Sequence, residues 1–193
     1  MAQSGSESQG KARSARDRVI EVARAQFIER GYSATSLQMI ADALGVTKAA
    51  VYHQFPSKAE ILHAVVDPAI RQMARIGRDA ERAATADDSF EIALGGLVDL
   101  VVEHGDIASM IRRDAAVTEL LATDGAFAEL TGRLDSALIG TQPAPAARAA
   151  LVVAGGGLML AGSDPASRFV DEATLRRVLS ESVRRVLEPY RPA

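Results

Sequence analysis

The chain has 193 residues, 48% of them hydrophobic and 24% charged, with a net charge of −3 and no cysteine. That balance suits a soluble globular protein with one substantial core or two small ones, and it excludes disulfides and thiolate chemistry. The longest apolar stretch, 149–161, is short for a bilayer crossing and the polar N-terminus has no hydrophobic signal core, so an intracellular, cytoplasmic protein without a membrane partner is expected.

Residues 1–12 are rich in Ser, Gly and Gln without an apolar period, which predicts a disordered tail whose Lys11, with Arg13 just beyond, is solvated. A first helix over about 14–30 sets Val19, Ile20, Ala23 and Phe27 on one face and stops at Gly31; the hydroxyls within 33–36 can cap the next. Residues 37–55 then read as two short helices joined by a tight turn. Ile40, Ala41 and Leu44 recur at helical spacing, Gly45 can take a positive φ where the first of the pair ends, and Val46 and Val51 are expected to bury the start of the second. Ala41 is the small side chain that two steeply crossing helices need where they touch. Together these positions make a helix-turn-helix, whose second helix is commonly laid in the DNA major groove.

A new helix is predicted from Ser57, a capping residue with Glu60 three positions on, to about residue 84, with Ile61, Leu62, Val65, Val66, Ile70 and Met73 inward. Pro68 lies inside it and should kink or break it. Beyond Asp88 the pattern is helical without strand alternation. Phe90, Leu94, Leu97, Val98 and Val101 form one stripe, and Ile107, Met110 and Ile111 another. Breaks at 124–125 and 140–145 delimit a helix over about 126–139 and start another near 144; residues 162–165 end that one, and 172–187 form the last. The fold class is all-α. Charge is divided unevenly along it, +2 over residues 1–63 and −5 over the rest, which permits a basic reading head on an acidic body.

The run 31–37 followed by Ile40-Ala41, Gly45-Val46-Thr47-Lys48, Val51-Tyr52, Phe55 and Ser57-Lys58 resembles the TetR family of bacterial transcriptional regulators. The similarity covers about residues 14–62, including the upstream helix ending in Phe27-Ile-Glu-Arg-Gly-Tyr32; Ala49 and Gln54 depart from the family's usual residues. The resemblance implies a DNA-binding domain over 13–60 and a helical effector-binding and dimerisation domain over 61–193. It also implies a homodimer through helices at about 144–161 and 172–187, which would form a four-helix bundle with their symmetry mates. The run Ala154-Gly-Gly-Gly-Leu158 would let helices approach closely there, although each mid-helix glycine costs roughly 1 kcal/mol relative to Ala.

With Thr47 opening the recognition helix, Lys48, Ala49, Tyr52 and His53 project along its groove-facing side while Val51 and Phe55 pack inward. Thr47 can bond phosphate at a helix N-terminus, Tyr52 and His53 can donate or stack, and Ala49 permits approach to a thymine methyl. The resemblance adds phosphate contacts from Thr35, Tyr52 and Lys58. It places an effector pocket among the middle helices, with Leu97, Val101, Met110, Phe127 and Met159 as candidate lining. His104 and Asp106 are too few to hold a metal, and no metal or cofactor is expected. No Ser/His/Asp set or phosphate-cradling glycine loop points to an enzyme. The function expected is a dimeric repressor released from a palindromic operator by a small molecule; a ligand-independent nucleoid-type binder and a transcriptional activator are the alternatives.

Overall fold

The computed structural model describes residues 14–192; the tail expected over 1–12, with Lys11, and Arg13 after it lie outside them. Among the described residues ten α-helices follow in chain order: α1 Ala15–Arg30, α2 Leu37–Leu44, α3 Lys48–Gln54, α4 Lys58–Glu81, α5 Ala86–Glu103, α6 Gly105–Arg113, α7 Ala115–Ala122, α8 Gly125–Ile139, α9 Pro145–Ser163 and α10 Glu172–Leu187. Among the described residues there is no strand, and the fold is all-α.

Local chemistry accounts for most of the boundaries. Ser14, Ser36, Thr47, Ser57, Thr85, Asp114, Asp124 and Asp171 each stand at an N-cap and accept a backbone N–H from the first turn, satisfying a donor that the helix leaves open. Ser14 and Asp17 close a reciprocal capping box. α9 begins differently, on Pro145, whose missing N–H costs nothing at a first position. α1 ends at Gly31 with φ 93° and α2 at Gly45 with φ 66°, conformations that side chains with a Cβ rarely adopt. Gly45 then sends Val46 outward, 39% exposed, contrary to the expectation that it would be buried; Val51 alone takes the inner place.

Pro68 does not break α4, which runs unbroken for 24 residues. Its ring lies on the exposed side, where water can satisfy the carbonyl that lost its donor, while Val65, Val66 and Ala69 on the inner side keep the helix packed. The stretch expected as one helical run after Asp88 is interrupted at His104 and Asp114, which divide it into α5, α6 and α7. At the first corner a Cβ on Gly105 would come within 2.1 Å of the Gly162 carbonyl oxygen, and one on Gly162 within 2.0 Å of Val101 Cγ1. The α5–α6 corner therefore sits directly on the backbone of α9.

Two apolar clusters hold the helices together. One runs from Val19, Phe27 and Phe55 in the first three helices through α4 to Leu100, Ile107, Met110, Val117, Leu121 and Leu134, so the first 55 residues share their core with the body. The other joins α5, α8, α9 and α10 around Phe90, Leu94, Leu138, Leu158 and Leu187. Arg176 with Asp99 and Arg184 with Glu91 tie α10 to α5 at the rim of this second cluster.

α9 carries the Gly155–157 run without breaking, and none of the three glycines has a neighbour within 4 Å of where a Cβ would stand. Its outer face leaves Val152 74%, Val153 64% and Leu160 52% exposed. At 19 residues with mean hydropathy 1.4 it is long and apolar enough, by length and composition, to cross a membrane; it exceeds the 149–161 stretch by residues 145–148 at one end and Gly162 and Ser163 at the other. Its other side packs against α5, α6, α8 and α10, as a bundle helix does.

Candidate nucleic-acid interface and effector cavity

The reading surface is built by α3. Thr47 Oγ1 accepts the N–H of Ala50 at 3.2 Å, which fixes the first turn and leaves the hydroxyl proton free to donate outward. Val51 and Phe55 are 0% and 1% exposed and anchor the helix, and the Arg16 guanidinium lies 4.5 Å over the Phe55 ring. With that face anchored, Thr47, Lys48, Ala49, Tyr52 and His53 are all exposed on the opposite side. Lys48 Nζ stands 5.5 Å from the Tyr52 ring, so cation and phenol form one patch. On α2, Gln38 faces solvent with its amide on Asp42 at 2.7 Å.

Two residues expected at the phosphate face have other partners. Thr35 is 2% exposed and its hydroxyl donates to the Gly31 carbonyl at 2.8 Å, which closes the α1–α2 turn and buries the side chain. Lys58 Nζ donates to the carbonyls of Tyr32 at 2.9 Å and Thr35 at 3.0 Å, and lies 4.2 Å over the Tyr32 ring. Desolvation lowers its pKa, with Asp114 opposing. Lys58 therefore pins the α1–α2 turn to the start of α4, and one of its three N–H donors remains for an outside acceptor.

Asp114 was not singled out in the sequence and proves central. Its carboxylate accepts the backbone N–H of Ser33 at 2.6 Å and its hydroxyl at 2.8 Å, while also taking the N–H of Ala116 to open α7. Desolvation pushes its pKa upward, but the donors from Ser33 and Ala116 outweigh it and hold the carboxyl below its ordinary value. Arg24 on α1 binds Asp106 on α6 at 2.6 Å. His104 instead turns to Gln72 Oε1 at 3.0 Å, so His104 and Asp106 do not converge.

Behind these ties lies an apolar cavity of about 390 Å³ between α4, α5, α6, α7, α8 and α9, within the size range of small-molecule sites. Leu97, Val101, Phe127 and Met159 line it as expected. Met110 does not: the wall of α6 is His104, Ile107, Ala108 and Ile111, one helical face, and Met110 falls off that face into the core shared with α1. Asp135, Thr131 and Gly155 also line it and had no signal in the sequence. Asp135 stands exposed at the rim, its pKa raised by desolvation against an opposing attraction to Arg148.

An exposed recognition helix on a buried three-helix core, backed by an all-helical body with an apolar cavity, defines a helix-turn-helix protein with a DNA-binding module. The family model described as bacterial regulatory proteins, tetR family, matches residues 19–65. Over those residues the chain carries the N-terminal DNA-binding module of that family. It is 42% identical over 53 residues to the HTH-type transcriptional repressor KstR2 of Mycobacterium tuberculosis, covering 28% of this chain and 26% of that protein. It is 40% identical over 57 residues to the HTH-type transcriptional regulator TtgR of Pseudomonas putida, covering 30% and 27%. The sequence match thus spans about a quarter of these relatives' length.

Structural similarity reaches much further. The KstR2 structure superposes with a TM-score of 0.64 at 17% identity, covering 95% of this chain and 98% of that one. FadR of Bacillus subtilis, in complex with stearoyl-CoA, gives 0.62 at 19% identity, covering 88% and 96%. At such identities these likenesses establish a shared fold.

Proposed function

We propose that the protein is a dimeric, sequence-specific transcriptional repressor that leaves its operator when a small molecule fills the cavity. The observation that carries the DNA half is the exposed α3 surface of Thr47, Lys48, Ala49, Tyr52 and His53 on an anchored helix. Thr47 and Tyr52 supply phosphate donors, Lys48 a phosphate charge, and Ala49 and His53 meet base edges. Lys58 acts mainly by holding the turn, with its remaining donor for phosphate.

A second copy covers the exposed apolar face of α9, pairing it and α10 with their mates in a four-helix bundle. Val152, Val153 and Leu160 then leave water, and the glycine run, open on this chain, admits the partner's backbone. Two recognition helices would be set about one DNA turn, roughly 34–36 Å, apart or a multiple of it.

The cavity supports effector control over a ligand-independent nucleoid role. α4 contributes Val66, Ala69, Ile70 and Met73 to its wall and Lys58 to the DNA-binding module; α6 contributes its inner face to the wall and Asp106 to α1. A ligand that fits better when α4 and α6 shift would move the recognition helices, provided it prefers that state by several kcal/mol. The test is an anisotropy titration of the DNA upstream of the protein's own gene, with Tyr52→Ala alongside. We expect the variant to melt like the parent and to bind about tenfold or more weakly; unchanged binding would overturn the assignment of α3.

A further inference from the structure

The wall of the cavity is chemically one-sided. Among the described lining residues, polar side chains come from His104, Thr131 and Asp135, and no Lys or Arg contributes. Thr131 gives its hydroxyl proton to the Ala128 carbonyl at 3.0 Å. His104 Nε2 meets the Gln72 amide oxygen at 3.0 Å, and Nδ1 is buried without a partner among the described residues. Asp135 makes no hydrogen bond or ion pair among the described residues; Arg148 attracts it from beyond ion-pair distance. The charged group with unmet capacity in the wall is thus an acceptor, the Asp135 carboxylate.

Position sharpens the asymmetry. His104 belongs to the inner wall, at the α5–α6 corner, whereas Asp135 is exposed at the rim formed by α8. A molecule with an apolar body would place that body against Leu97, Ile107, Phe127 and Leu158 and its polar end at the rim. A carboxylate or phosphate at that end would meet the charge of Asp135 and find no cation in the wall, an arrangement that leaves a charge desolvated and unpaired. Arg148 is exposed and outside the lining, with Asp135 nearer the cavity. An ammonium or hydroxyl at the same place meets a carboxylate that has no other donor.

We propose that the cavity selects lipophiles whose polar group is a hydrogen-bond donor, an ammonium above a hydroxyl, held by Asp135, and rejects lipophilic anions. This rests on the effector reading and names the chemical class of its ligand. The desolvation that raises the Asp135 carboxyl is consistent with it, since a bound cation would reverse that shift.

The experiment uses three probes of equal chain length, decylammonium, decanol and decanoate, titrated calorimetrically into the full chain below their micelle concentrations. Decylammonium is expected to bind about tenfold tighter than decanol, and decanol about tenfold tighter than decanoate. Asp135→Asn should bring decylammonium to the level of decanol while leaving decanol unchanged. Thr131→Leu, which adds bulk to the lining from α8, should weaken all three while the variant still melts cooperatively. Decanoate binding as tightly as decanol, or an ammonium preference that survives Asp135→Asn, would overturn the proposal.

DNA binding followed in the same samples separates this claim from the effector reading. Release of DNA by all three probes at equal occupancy-weighted affinity overturns the selectivity and leaves effector control standing. Ordered binding in the cavity without any change in DNA affinity supports the selectivity and overturns effector control. Absence of binding by all three overturns both.

Discussion

The two ends of this molecule bury their side chains to different purposes. Around α1, α2 and α3, Phe27, Ile40, Ala41, Val51 and Phe55 are at most 1% exposed and close on one another; the body, by contrast, surrounds an apolar cavity of about 390 Å³. The closed core holds a surface in one shape, whereas the open one can exist in more than one. A protein that must present α3 rigidly and still respond to a ligand needs that division.

The largest expected effect tests it directly. Phe55→Ala should cost about 3–5 kcal/mol of stability, as for a fully buried aromatic, and abolish DNA binding. Phe127→Ala, whose ring is half-buried at the cavity wall, should cost about 1 kcal/mol and enlarge the cavity, a contrast that denaturant melts would read. Equal losses would mean that the body is packed as tightly as the DNA-binding module.

Next in size is the tie between the two regions. Asp114→Ala removes a carboxylate holding two donors of Ser33 and one of Ala116, and should cost about 1.5–3 kcal/mol and weaken DNA binding without touching α3. A variant that melts lower but binds DNA as before would show that the link is structural only. The same tie has a pH signature. Its carboxyl titrates below the ordinary 3.8 when folded, so its contribution is complete above that value and is lost as pH falls through the lower folded value. The stability curves of the parent and Asp114→Asn should therefore converge on acidification below 3.8; parallel curves would remove the carboxylate from the account.

The smallest effect concerns the outer face of α9. Gly156→Ala should stabilise the helix by up to about 1 kcal/mol, since no neighbour lies within 4 Å of the added methyl group, yet weaken self-association if a partner backbone packs there. Sedimentation measured across a concentration series would read the second effect. An unchanged dimer would place the interface elsewhere.

The same contrast explains what could be read from residues alone. In the DNA-binding module each role is local: Ser36 and Thr47 cap helices three residues ahead, Gly45 turns the chain, and Ala41 makes room, so the pattern is visible within 20 residues. Thr35 and Lys58 escaped because exposure and partners depend on packing; Lys58 reaches carbonyls 26 and 23 residues away. In the body the decisive pairs are longer still. Ser33 and Asp114 are 81 residues apart, and a carboxylate at 135 has no neighbour in sequence to mark it. Ile107, Met110 and Ile111 repeat as one apolar stripe, and only the packing of α6 shows that Met110 faces α1 while the other two face the cavity.

Whether α3 reads sequence as part of a symmetric pair is decided by selection of bound duplexes from a random DNA pool, followed by affinities for the enriched and scrambled sites at one salt concentration. We expect an enriched palindrome, its half-sites spaced by about one helical turn or a multiple, bound on the order of a thousandfold or more tighter than the scrambled duplex. Equal affinity for every duplex, falling steeply with salt alone, would contradict it.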